Sequence, residues 1–449
     1  MTGMPRSPGA GAREQTMPYL VVALLLAVVG AVGLLWRPLA PPVEALTTDL
    51  ADFRPEVLGT VATYRTPRYV IFAVATTLEV VVPLLVVLTR RGRRLVARVA
   101  GPAAQAPLRA GGVALVVAVL TSLATFPLAA WSRIVHDGRW GFRTQSAGSW
   151  LVDWLTVNLG TWLAVAALVV VLLAAMARWP RSWPYRLTLL GSVLAAAVVL
   201  IHPLVLQPIL LPTSPMPPSE TRDDLEAILE EQGAGDLELH VGDASLRTTR
   251  VNAMVVGIGP TERVVLYDTL LDLPGEQIES VLAHELAHRE HRDLLRGVLA
   301  VPTFLLPAML VLRGVLTSTG IRRRTGSRGP LDPRLAAAVL VTAAVLELVG
   351  TPVANVASRR AEVAADHRAI EVTGDPAAKV AASRAFVVRD LSPPRAPTWV
   401  RVLSATHPSV EDRIRAAAAQ AEPRQLPARG DLEECEVEIA HEAVREQLE

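Results

Sequence analysis

The chain has 449 residues, 51% of them hydrophobic and 19% charged, with a mean hydropathy of +0.36; this is too apolar for two ordinary soluble domains, so much of it must lie in lipid. A formal net charge of +1, held in short clusters between apolar blocks, gives no basic field for nucleic acid and excludes that class of partner. A single cysteine, Cys435, excludes an internal disulfide and a thiolate metal site, leaving histidine and carboxylate as the ligands for any metal.

Residues 1–18 form a short tail containing Arg6 and Arg13. A lipid-spanning helix needs about 20 mostly apolar residues, because no water is there to satisfy its backbone. Seven blocks meet that requirement, at 19–36, 69–88, 111–130, 156–177, 187–206, 297–316 and 335–356. The first is longer than a signal-peptide core and lacks a clear cleavage site, so it reads as a helix. Glu79, inside the second, either faces a water-filled interior or marks a misplaced boundary.

Residues 212–296, between the fifth and sixth blocks, read as a folded α+β insertion. After a Pro-rich linker the pattern predicts an amphipathic helix over 220–231, then strands over 237–241, 251–256 and 263–267. The last two form a hairpin through the Gly257–Glu262 turn. Beyond Pro274 a helical pattern resumes with Ile278, Val281, Leu282 and Leu286 on its apolar face. Residues 357–430 read as helices broken at Pro393-Pro394 and His407-Pro408, and 431–449 as a solvated acidic tail.

The helix after Pro274 carries His284-Glu285-Leu286-Ala287-His288, an HExxH sequence. Histidines four apart share one helix face, so two imidazoles can grip one ion while Glu285 flanks its open position. An ion there brings the pKa of a water molecule to about 7, within reach of a carboxylate base. The plain alternative is a helix that happens to bear two histidines. A catalytic site needs a third protein ligand, and a third histidine six residues on is absent, since that position is Leu294 and His291 stands where a glycine would be required. The other source is a carboxylate on a second helix. Glu362, with Asp366 four residues on, presents a ligand and a carboxylate able to orient a ligating histidine, although charge pairs at this spacing are also common on exposed helices.

With these residues in view the chain resembles the integral-membrane zinc endopeptidases that include the type I CAAX prenyl proteases. Four motifs match in order: 249–253 (Thr-Arg-Val-Asn-Ala) followed by 264–271, then 284–288, then 355–366, and finally Thr406-His407-Pro408 with Arg413. They cover roughly residues 203–416, while the first third of the chain agrees only in hydropathy. The resemblance implies a mainly α, multi-pass membrane fold of about seven transmembrane helices with a zincin-like α+β catalytic domain. It implies one Zn(2+) per chain on His284, His288 and Glu362, with Glu285 as base and Asp366 as partner of the ligand set. Asn252 and Ala253 would lie on an edge strand that a polypeptide substrate extends by backbone pairing. His407 and Arg413 would stabilise the oxyanion. Without the resemblance, Asn252 reads as a turn residue and His407 as a helix stop; Arg359-Arg360 reads equally as an interfacial anchor. Where the prenyl proteases have an aromatic-rich segment after the Asn-Ala pair, this chain has Met254, Val255 and Val256, a departure that bears on substrate preference.

Lys379 is the sole lysine among 44 basic residues, a bias expected of a GC-rich, bacterial genome, which would place the protein in a plasma membrane. A bacterial source turns the expected substrate from prenylated chains toward other polypeptides reaching the membrane surface. The rivals are a general membrane quality-control protease and a non-catalytic scaffold that keeps the metal. Arginine clusters at 90–98, 178–186 and 322–328 fall on one side of a seven-helix chain, and the positive-inside rule makes that side cytoplasmic and the metal site outward-facing. The resemblance implies the reverse.

Overall fold

The computed structural model describes residues 53–101 and 106–421. Among them six helices are long and apolar enough to cross a membrane, at Pro55–Leu88, Ala106–Arg139, Ala147–Arg178, Trp183–Val205, Asp293–Thr317 and Pro333–Thr373. They answer to six of the seven expected blocks; the block at 19–36 and the acidic tail with Cys435 lie outside the described residues. Many of their large side chains are exposed, among them Leu155, Leu163, Leu189, Leu299 and Val349. In water such surface would be covered, whereas lipid is an adequate solvent for it.

Several spans run past the apolar blocks that announced them. Helix α1 (Pro55–Leu88) begins well before residue 69, and Glu79 falls inside it. A short helix, α2 (Arg90–Ala100), is capped by the Thr89 side chain and leads to α3 (Ala106–Ala130). The end of α3 widens into a π-turn at Trp131–His136, and α4 (Ala147–Arg178) and α5 (Trp183–Ile201) follow. At the end remote from the insertion, Val86, Ala110, Met176, Trp183, Leu316 and Leu335 join one buried cluster.

The insertion contains β1 (Thr213–Pro215), α6 (Glu220–Glu231), β2 (Glu238–Gly242), β3 (Ala253–Val256) and β4 (Arg263–Tyr267). Ser219 caps α6 by accepting from the Arg222 amide, which is why this helix starts where its sequence says. The sheet order is β1-β2-β4-β3, with β2 and β4 parallel and both outer pairs antiparallel. The expected hairpin is therefore present, with Ala253 opposite Leu266, and it leaves β3 as an edge. β1 went unseen in the Pro-rich linker because a three-residue strand has no periodicity to read.

Helix α7 (Gly275–Glu290) packs Ile278, Leu282 and Leu286 into the core beneath the sheet, with Leu225, Val264 and Leu266 as neighbours. Each such side chain contributes roughly 1.5–3 kcal/mol of burial. The chain then turns at Arg292, a non-glycine residue at φ 54°, and enters the membrane as α8 (Asp293–Thr317). After α9 (Thr319–Thr325), α10 (Ala336–Thr373) returns as one helix of 38 residues. The expected boundary between membrane block and catalytic segment near residue 356 thus falls inside a continuous helix. α11 (Pro376–Asp390), α12 (Thr398–Leu403) and α13 (Val410–Ala418) close the catalytic side.

Candidate metal centre

α7 and α10 pack against each other, and Ser280, Ala283 and Ala287 of α7 are all buried. Close approach of the two axes brings His284 and His288 up to Glu362, where one atom from each lies within 4.8 Å of the others. The His284 Nε2 to Glu362 Oε2 distance is 3.2 Å and the His288 Nε2 to Glu362 Oε1 distance is 3.5 Å.

Each imidazole is oriented from behind. Asp293 Oδ2 lies 2.9 Å from His288 Nδ1, and Asp366 Oδ1 lies 2.9 Å from His284 Nδ1 as a close ionic contact. An ionised carboxylate only accepts, so each Nδ1 beside one carries a hydrogen, and both Nε2 atoms face Glu362. Burial, helped by the charge of His284, draws the His288 pKa down to about 4, so the ring is neutral at pH 7, the form a metal requires. This donor set passes a test of fit for zinc. Bonds of about 2.0–2.1 Å at tetrahedral angles separate donor atoms by about 3.4 Å, close to the two spacings found.

Further charges surround the carboxylates. Arg413 donates from Nη2 to Glu362 Oε2 at 2.7 Å, with its Nε 3.3 Å from Asp366 Oδ2. Lys379, 4% exposed, places Nζ 2.6 Å from Asp366 Oδ1. His407 Nε2 stands 3.3 Å from Glu362 Oε1 while Thr406 meets its Nδ1 at 2.8 Å. The backbone leading to His407 is held by α10: Asn355 Nδ2 donates to Val402 O at 3.0 Å, and Arg359 Nη1 donates to Arg401 O at 2.9 Å and Ala405 O at 2.5 Å. Arg359 is thus a clamp on the catalytic side.

A cavity of about 440 Å³ opens beside the histidines, lined by Asn252, Ala253, Val281, Glu285, Phe386, His407 and Arg413 among others. Burial pushes Glu285 up to about 6 against the pull of His284, and the negative charge of Glu362 works in the same direction. A carboxyl near 6 is poised both to take and to return a proton at neutral pH. Asn252 is exposed on the lead into β3, its carbonyl accepting from the Tyr267 amide at 3.0 Å, and Ala253 is buried.

Six of the nine residues singled out in the sequence, Asn252, Ala253, His284, Glu285, His407 and Arg413, line this cavity, while Glu362 contacts both histidines, Asp366 contacts His284, and His288 lines a neighbouring cavity with Glu285. Sequence reasoning missed Asp293 and Lys379. The turn at Arg292 folds Asp293 back onto His288, which spacing alone does not reveal. Lys379 carried a signal, as the one lysine in an arginine-rich chain.

The catalytic half, residues 219–421, matches the model of peptidase family M48. The chain belongs to peptidase family M48. Residues 52–211 match the five-helix N-terminal membrane region of CAAX prenyl proteases, so this M48 member is a multi-pass membrane metalloprotease of the CAAX protease-like kind. Relatives include an uncharacterized metalloprotease of Bacillus subtilis, YhfN, 26% identical over 69% of this chain and 73% of its own. CAAX prenyl protease 1 of Saccharomyces cerevisiae is 23% identical over 40% of each chain, and the rice homologue is 27% identical over 41% of this chain and 44% of its own. The crystal structure of S. mikatae Ste24p shares the fold at a TM-score of 0.68, with 16% identity over 90% of this chain and 97% of that one.

Proposed function

We propose that this protein is a zinc endopeptidase that cuts internal peptide bonds in polypeptides at the membrane surface, with one Zn(2+) held by His284, His288 and Glu362. The observation that carries this reading is the convergence of two imidazole Nε2 atoms and one carboxylate beside Glu285 in a single open cavity. Zinc, when bound, supplies a Lewis acid that acidifies water and polarises a carbonyl. Glu285 takes the proton of the attacking water and then returns it to the departing amine nitrogen. Asp366 and Asp293 hold the two imidazoles in the tautomer that frees Nε2. His407 and Arg413, at the cavity wall, donate to the oxyanion as it forms. An extended substrate adds to the free edge of β3 by main-chain hydrogen bonds, with Asn252 and Ala253 beside the scissile bond.

The bacterial relative and the nearly lysine-free composition support a bacterial plasma membrane as the setting, and with it substrates other than prenylated tails. Residues 212–296 and 357–430 together would make the catalytic domain. The reading is tested by mass spectrometry of products after the zinc-loaded protein meets a mixed peptide library in detergent. Discrete internal cuts that vanish in Glu285→Gln and on chelation are expected. No cuts from a preparation holding about one zinc per chain would favour a scaffold or a far narrower substrate requirement.

A further inference from the structure

The six described spans have two distinct ends. At one end, the C-termini of α1, α4 and α8 and the N-termini of α3, α5 and α10 share a buried cluster around Val86, Ala110, Met176, Trp183, Leu316 and Leu335. Arg313 Nη1 of α8 donates to Arg181 O at 2.8 Å, tying the C-terminal end of α8 to the connection between α4 and α5. At the opposite end, Tyr64 of α1 and Phe142 beyond α3 cluster with Ile370, Val387 and Ile414 of the catalytic side. The metal centre belongs to this second end.

The two ends differ in charge. The three connections at the far end, at 89–101, 178–186 and 318–334, hold five, three and five arginines against a single acidic residue, Asp332. All are short, and short connections are the ones that decide orientation, because arginine-rich segments resist transfer across a membrane. The short connection at the metal-centre end holds Arg133, Arg139 and Arg143, with Arg133 paired to Asp137 at 3.1 Å. The long catalytic insertion crosses, or stays, regardless of its charge. α2 gives a second, separate indication. It packs Val96 and Ala100 into the far-end cluster and carries its five arginines on an eleven-residue helix, a surface-lying form that suits anionic headgroups, and these give the cytoplasmic leaflet its negative potential.

We infer that the arginine-rich end faces the cytoplasm, and that the metal centre opens on the non-cytoplasmic side, where it acts on secreted or membrane-anchored polypeptide segments exposed there. The substrate class rests on the endopeptidase reading above; the orientation does not. The prenyl-protease resemblance carries the opposite expectation, so the two are directly opposed.

The test uses the full chain in a bacterial host with Cys435→Ser and one cysteine at a time, Asp224→Cys on α6 or Thr319→Cys in the far-end connection, both at exposed positions. A membrane-impermeant maleimide is applied to intact and to permeabilised spheroplasts, and labelling in the first is scored against the second. Labelling of Asp224→Cys in intact cells, with Thr319→Cys labelled only after permeabilisation, is the expected result. The reverse pattern, or partial labelling of both in intact cells, overturns the orientation. In parallel, a membrane-impermeant peptide cut by the parent chain in detergent should be cut by intact spheroplasts, and not by those bearing Glu285→Gln. If labelling is as expected while no peptide is cut in detergent, the orientation stands and the broad endopeptidase reading, with the substrate class that rests on it, fails.

Discussion

Two buried aspartates organise this molecule, and they do different things with their surroundings. Asp366, 3% exposed, meets Lys379, Arg413 and His284; Asp137, 2% exposed, meets Arg68 at 2.6 Å, Arg133 at 3.1 Å and the Tyr64 hydroxyl at 2.7 Å. Arg250 reaches the second cluster through the Tyr64 hydroxyl and lies over the Phe142 ring at 4.1 Å. The Asp137 cluster closes on itself: Arg68, Arg133 and the Tyr64 hydroxyl all turn to Asp137, Arg250 turns to Tyr64 and the Asp390 carbonyl, and the cluster joins α1, the turn after α3 and the segment leading into β3. The Asp366 cluster leaves two imidazole nitrogens and a carboxylate aimed at a common point. Buried charge alone therefore does not mark a reactive site; donor atoms converging on one point beside an open cavity do.

That contrast can be broken experimentally. Glu285→Gln should lower cleavage by about 10²–10⁴-fold while bound zinc, read by metal analysis, stays at the parental level. Asp137→Ala should leave bound zinc per folded chain unchanged but destabilise the protein in detergent by about 1–3 kcal/mol, read by chemical unfolding, because it leaves the buried Tyr64 hydroxyl and the half-buried Arg68 without their shared acceptor. Loss of zinc in that variant would mean the two clusters are one functional unit. Asp366→Asn should weaken zinc binding about 10–100-fold, measured by competition with a chelating dye. If Lys379 acts through Asp366, adding Lys379→Met to that variant should cost little more.

The smallest effect concerns pH. Burial, against the pull of Arg250, raises Asp390 to about 6. A carboxyl higher in the folded than in the unfolded chain binds more protons when folded, so its contribution is full below about pH 4 and is lost as pH rises through about 6. Asp390→Asn should flatten the stability profile between those values and raise stability at pH 7 relative to the parent chain. A profile unchanged by the substitution would show that Asp390 titrates normally.

What the sequence revealed and what it hid follow from the same physics. His284, His288, Glu362 and Asp366 are legible because ligand pairs four apart must share a helix face. The hairpin before them is legible because alternation and a glycine turn are local. The Tyr64–Asp137 and Arg68–Asp137 contacts were not, since they bridge 73 and 69 residues of sequence, and neither was the contact of Lys379 with Asp366, which joins two separate helices. The extent of α10 was hidden for a different reason: hydropathy ends where lipid ends, but backbone hydrogen bonding does not, and the helix runs on to carry Glu362 past the bilayer.

That unbroken helix makes the thickness of the membrane an input to the metal centre. At about 1.5 Å per residue, the 38 residues of α10 form a strut of about 57 Å fixed at one end in the arginine-rich cluster and bearing Glu362 near the other. A bilayer that tilts the strut moves Glu362 against the histidines of α7, with Pro352 marking where the helix can yield. Turnover in lipids of graded acyl length reads that coupling, and a flat response would show that α7 rides with the strut. If the response is graded, lipid composition tunes this enzyme without binding to it.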